Sequence, residues 1–180
     1  MRKIFLTLVL VLTANTFFAQ SVFDKFDGQD NIATVIVNKK MFTLLSKMEV
    51  KDKETQQYVN LIKKLDNLKV FVTENDAKAS EMRATSDKYI KTSALEELMR
   101  ITEKGKSVKI YVKSGATDSQ VKELLMFVDG AAPKNQSVLM SLTGDFDLNE
   151  LSILTDKMNL PGGDDLKKAS KGSKGPKGAK

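Results

Sequence analysis

The sequence predicts an α+β domain, with a mixed, largely antiparallel sheet of about five strands and helices packed on one face. Three observations point there. Apolar residues switch repeatedly between a period of two and a period near 3.6 along residues 32–158, which marks strands alternating with helices. In the second half, two or three strand patterns follow one another before a closing helix. The segment 107–113 alternates so cleanly that one of its faces must be wet, which a doubly wound parallel sheet does not allow.

The elements follow in order. Residues 32–38 are rich in β-branched side chains after a polar, Gly-containing stretch and read as a first strand. Met41, Leu44, Leu45 and Met48 fall at helical spacing, and after the charged break 49–53 the pattern returns as Tyr58, Leu61, Ile62 and Leu65. Such stripes are core faces far more often than ligand boxes. A second strand over 68–73 places Val70 and Val72 on one face and Lys69, Phe71 and Thr73 on the other. Asn75 and Asp76 cap a long helical region. Its first part, 77–86, is polar enough for a loop or break, whereas Ile90, Ala94, Leu98 and Ile101 keep helical spacing until Gly105 stops it. Residues 107–113 then form a strand with Val108, Ile110 and Val112 inward and Lys109, Tyr111 and Lys113 outward. Over 117–128 the residues fit a capped helix and a buried strand equally well. Residues 137–143 read as a strand, and Asp147, with Glu150 three positions on, caps a last helix carrying Leu148, Leu151, Leu154 and Met158. No internal repeat is evident.

The 180 residues hold 29 Lys and Arg against 23 Asp and Glu, for a net charge of +6. This excess sits at the two ends. Arg2 and Lys3 open the chain, and residues 162–180 carry Lys167, Lys168, Lys171, Lys174, Lys177 and Lys180 against Asp164 and Asp165. Residues 20–161 are balanced, so the basic total is no argument for a specific nucleic-acid partner. Arg2 and Lys3 followed by the apolar run 4–12 and the polar-to-small stretch up to Ala19 have the order of a signal peptide over 1–19. Nine strongly apolar residues are too few to cross roughly 30 Å of hydrocarbon, so no transmembrane segment is expected in the mature chain. The chain has no Cys, so lipid anchoring at a mature N-terminal Cys is excluded. The expectation is export to the periplasm or beyond, with a single domain over 20–161. Residues 162–180, with three Gly-X-Lys triplets, are too few for a collagen helix and carry too little apolar surface to pack, so they read as a disordered tail.

His, Cys and Trp are absent. Ser-His-Asp and Cys-His chemistry, zinc sites, haem ligation through His and disulfides are therefore excluded. What remains is sparse. Ser119 and Lys122 have the Ser-x-x-Lys spacing of penicillin-binding enzymes, which needs a helical turn to bring amine to hydroxyl. Asp145, Asp147 and Asn149 stand at positions 1, 3 and 5 of a calcium loop with Asp156 at position 12, but Glu150 replaces the required Gly. A turn and helix cap is the better reading. Glu96 with Glu97, Asp164 with Asp165, and Asp145 with Asp147 are formally available as acid and base, with no aromatic platform beside them. No phosphate loop is present, and no cofactor, metal or catalytic residue is expected.

The order of residues 34–42, 65–73, 95–99, 108–112, 123–126 and 142–148 resembles the family known as domain of unknown function 4252, small exported proteins of Gram-negative bacteria. The resemblance spans most of residues 22–160 and excludes the Lys-Gly tail. It implies export and this fold, implies a strand where Glu123 to Val128 lie, and brings no activity with it.

Three functions remain. The first is a non-enzymatic exported binding or accessory protein of the cell envelope that uses its sheet face, with Lys109, Tyr111 and Lys113 as the patch. The second is a carboxylate- or Ser/Lys-based hydrolase. The third is a binder of polyanions or membrane surfaces through Lys167, Lys168, Lys171, Lys174, Lys177 and Lys180. The sequence names neither the partner nor the oligomeric state.

Overall fold

The computed structural model describes residues 22–47, 52–103, 105–117, 119–131, 135–151 and 164–165. A 3-10 turn, Asp24–Phe26, leads into β1 (Ala33–Asn38), α1 (Lys39–Leu45), α2 (Lys53–Ile62), β2 (Leu65–Thr73) and α3 (Asp76–Thr92). Then come four strands, β3 (Glu96–Glu103), β4 (Lys106–Ser114), β5 (Gln120–Ala131) and β6 (Gln136–Asp147), and a 3-10 turn, Leu148–Glu150. The strands form one sheet in the order β1-β2-β6-β5-β4-β3. Every neighbouring pair is antiparallel. The α+β class stands, but the sheet has six strands rather than about five, and is antiparallel throughout rather than mixed. β6, the last of the described strands, lies between β2 and β5.

The sixth strand is β3. Leu98 and Ile101 share a spacing of three that reads as helix, yet pairing with the next strand across a tight hairpin decides the segment. Gly105 at φ +84 turns the chain so that Glu103 pairs with Lys106 and Ile101 with Val108. The same glycine that looked like a helix stop is the corner of a hairpin. The helix itself occupies the polar stretch before it. Asn75 accepts the Lys78 N–H at 3.1 Å, and the buried side is Ala79, Met82, Ser86 and Tyr89. It ends with Ala94 in the left-handed region at φ 51. A non-glycine residue there is strained, so Ala94→Gly is expected to raise stability by about 1 kcal/mol, read as a higher urea midpoint.

Helices cover both faces of the sheet, which corrects the expectation of a single covered face. On the first face Phe42 of α1 and Leu61 and Ile62 of α2 pack with Leu68, Val70, Ile110, Met126 and Met140. Burying Phe42 contributes roughly 2–3 kcal/mol. On α1 it is Phe42 and Leu45 that turn to the sheet, while Met41 and Leu44 are exposed. Two interleaved apolar pairs on a seven-residue helix look alike by period, and the ring fills the interior. Met48, Leu154 and Met158 lie outside the described residues.

On the second face Met82 and Tyr89 of α3 pack with Phe71, Leu125, Phe127 and Leu139. The segment before β1 lies on this face as well. Phe23 meets Tyr89 edge-on at 5.1 Å between ring centroids, and Phe26 meets Phe71 at 5.7 Å. Lys69, on the same face as Phe71 and Thr73, is buried and paired with Asp24. A lysine on an apolar strand thus becomes the anchor of this N-terminal strap. Because both faces are covered, β5 and β6 read as continuous apolar runs rather than alternations.

Within the stretch expected to be a tail, Asp165 is buried and paired with Lys106 of β4 at 2.8 Å. Packing therefore reaches residue 165.

Candidate functional site

α3 crosses the second face over β2, β6 and β5. It packs there because its small and apolar side chains line up on one side, with Met82 and Tyr89 buried at its centre. Beyond its edge the second face of β4 and β3 is, among the described residues, left as an open shelf. Register assigns its residues. Tyr111 lies opposite Glu97, and Lys109 opposite Arg100. Lys113 lies opposite Glu123 of β5.

The three residues singled out from the sequence therefore share one face. Tyr111 is half-buried, its ring packed at the margin of the second core, Lys109 is half-buried and Lys113 is exposed. Ile90 and Asp87 of α3 form the inner wall of a narrow crevice whose floor is Lys109, Tyr111 and Phe127. The Tyr111 hydroxyl donates to Glu97 at 3.1 Å, and Arg100 clasps Glu97 through Nε at 3.1 Å and through Nη2. These guanidinium hydrogen bonds hold the Glu97 carboxyl below its usual range. Burial, then the bond to Glu97, raises the Tyr111 phenol. Glu97 and Arg100 were not placed beside Tyr111 in advance, because 96–103 has the spacing of a helix and only pairing across Gly105 puts them there.

At the inner end of the shelf sits a buried acid. Glu123 is 5% exposed, and the Tyr89 hydroxyl lies 2.7 and 2.9 Å from its two oxygens. Burial pushes the Glu123 carboxyl up, opposed by the Tyr89 hydrogen bond and the charge of Lys113. Burial and the facing carboxylate push the Tyr89 phenol up as well. The pair rivets α3 to β5. Nothing local in the sequence marks it, since the two residues belong to different elements.

The remaining candidates are not brought together as active groups. Residues 120–131 are strand, and Ser119 donates to Asp147 at 2.7 Å while Lys122 pairs with Asp145 at 2.5 Å. Each member of the Ser-x-x-Lys spacing is engaged by its own carboxylate. Asp145 is held below its usual range by Lys122. Asp147 accepts the Asn149 N–H in a capping box with Glu150, so the turn-and-cap reading of the calcium spacing describes these residues. Asp156 lies outside the described residues, as do Lys167, Lys168, Lys171, Lys174, Lys177 and Lys180. Of the paired carboxylates, Glu97 belongs to the shelf and Asp165 to Lys106. Among the described residues no group of three or more acidic side chains is arranged to hold a metal ion. No described helix is long and apolar enough to cross a membrane.

No curated protein and no solved structure matches the chain. A family model does, over residues 26–154, which takes in β1 to β6 and both covered faces. The chain belongs to the family described as Domain of unknown function (DUF4252).

Proposed function

We propose that this protein is an exported, non-enzymatic binding or accessory protein of the cell envelope that engages its partner through the β3–β4 shelf. The observation that supports this most is the exposure of that shelf. It is a stretch of sheet left uncovered by α3, carrying a half-buried tyrosine bonded to Glu97 and flanked by Lys109, Lys113 and Arg100. An aromatic with one apolar flank and one polar tip, set among cations, is the composition of a contact surface. Its charge suits a partner face that presents carboxylates or other anions. Tyr111 supplies the apolar contact, while Lys109 and Lys113 steer. Arg100 is already committed to Glu97.

Export rests on the leader pattern at residues 1–19, and sequencing the mature N-terminus is expected to find it near residue 20. The binding reading is tested by capturing envelope components on three immobilised forms of the chain. These are wild type, the double variant Lys109→Glu/Lys113→Glu, and a chain ending at residue 165. The cut is placed there because Asp165 belongs to the packed structure. Charge reversal on the shelf is expected to weaken capture by about tenfold or more, and more at low salt than at high salt. Removing residues 166–180 is expected to leave capture unchanged. Loss of capture on truncation alone would transfer the contact to the lysine tail.

A further inference from the structure

We propose that β1 is a self-association edge, and that two copies of this chain join β1 to β1 in an antiparallel, two-fold pair that continues the sheet. The sheet has two outer strands, and they differ sharply. β3 carries Glu96, Glu97, Arg100 and Glu103, and its register with β4 shifts between Glu97 and Met99. Charges and a bulge of this kind guard an edge against further pairing. β1 has neither. Its six residues, Ala33 to Asn38, include no charge, and they pair with β2 in unbroken register. Among the described residues its other side pairs with no strand. Val35 is 49% exposed on the first face and Ile36 is 40% exposed on the second, so apolar surface flanks the open edge above and below. α1, which packs over β1 and β2 on the first face, adds exposed Met41 and Leu44.

The charges on either side of β1 select a second copy as the occupant. Asp27 and Asp30 precede the strand and Lys39 and Lys40 follow it, all four exposed, with Lys39 also paired to Asp66 at 2.8 Å so that Lys40 carries most of the basic end. An antiparallel partner with this same sequence sets the acidic end of one copy against the basic end of the other, and the two-fold makes the match twice. A parallel arrangement sets like against like. The axis must stand normal to the sheet, so like faces stay together, and residues facing each other across the seam have numbers summing to an even value. With Val35 opposite Val35 of the second copy, Thr34 meets Ile36 and Ala33 meets Val37, and the acidic turn before β1 of one copy lies at the end of the seam where the basic start of α1 of the other leaves it. Both α1 helices then lie on one face, beside the seam. The remaining outer strands of the pair are the two charged β3 strands, so the assembly closes at two.

The test is the oligomeric state of the full chain, followed by sedimentation velocity over a wide range of concentration. Wild type is expected to move from monomer to dimer as concentration rises. Ile36→Lys is expected to abolish the dimer while leaving far-UV circular dichroism and the thermal midpoint in place. Asp30→Lys and Lys40→Asp are each expected to raise the dimer Kd by about tenfold, and the double variant to recover most of that loss. The recovery can be read even where Ile36→Lys misfolds. The proposal is overturned by wild type that stays monomeric throughout, or by a dimer indifferent to the β1 variants. Open-ended polymers, which imply β1 pairing with β3, overturn it too. Failure of the double variant to recover overturns the antiparallel, two-fold arrangement.

Discussion

Gly144→Ala is expected to cost about 3–5 kcal/mol of folding stability, with the urea midpoint as the readout. Gly144 lies in β6 at φ +154, and a Cβ there would sit 2.4 Å from the Lys64 carbonyl oxygen and 2.8 Å from the Leu65 Cα. Both are backbone atoms and cannot swing aside. The close approach is built into the fold. The Asp145 N–H bonds the same Lys64 oxygen at 2.9 Å, and β2 shifts register between Leu65 and Asn67 directly opposite. A methyl group would push β6 off the start of β2 and strain the α2-to-β2 turn. Gly28→Ala is the control. Gly28 also has a positive φ, at +71, but its surroundings are open. It is expected to lose only about 1 kcal/mol, the conformational part alone.

Tyr89→Phe is expected to cost about 2–4 kcal/mol at neutral pH, because it removes the only described hydrogen-bond donor from a buried carboxylate. The cost depends on pH in a defined direction. Burial raises the Glu123 carboxyl above its unfolded value. Its contribution to stability is therefore fully present below the unfolded carboxylate pKa and is lost as pH rises through the folded one. The Tyr89 bond favours the charged form, so losing it raises the folded pKa further. The difference between wild type and Tyr89→Phe should thus widen from acid to neutral pH. Glu123→Gln removes the charge and keeps an acceptor for the phenol. Its stability relative to wild type is expected to rise over the same window. The double variant should cost less than Tyr89→Phe alone. Urea titrations at several pH values check all three, and a pH-independent cost for Tyr89→Phe would mean that the Glu123 charge plays no part.

Residues whose neighbours along the chain decide their fate were legible beforehand. Val108, Ile110 and Val112 alternate with polar residues, and they are buried as expected. Asp147 with Glu150 showed its capping role in two residues. Lys109, Tyr111 and Lys113 were recognisable as one surface, because a strand's period of two puts them on one side. What failed was decided at a distance. Nothing near Lys69 and Thr73 in the sequence shows that they are buried, because Asp24 and the Asn31 carbonyl reach them from the N-terminal strap. That strap and α3 make the second face an interior. Leu98 and Ile101 continue the spacing of Ile90, and only β4 makes them strand. Glu97 and Arg100, half of the shelf, became visible with that correction.

The position of the last strand at the middle of the sheet governs how the molecule can be made. A ribosome releases a chain from its N-terminus, and β1 and β2 emerge first. The inner partner of β2, through pairs such as Leu68 with Leu142, is the last of the described strands to arrive. Until then β2 presents a bare apolar ladder, and β5 does the same from the other half. Assembly should be delayed until synthesis is nearly complete and then proceed in one concerted step, which favours escorts that hold the nascent chain open and makes truncations within β6 aggregate rather than fold partially.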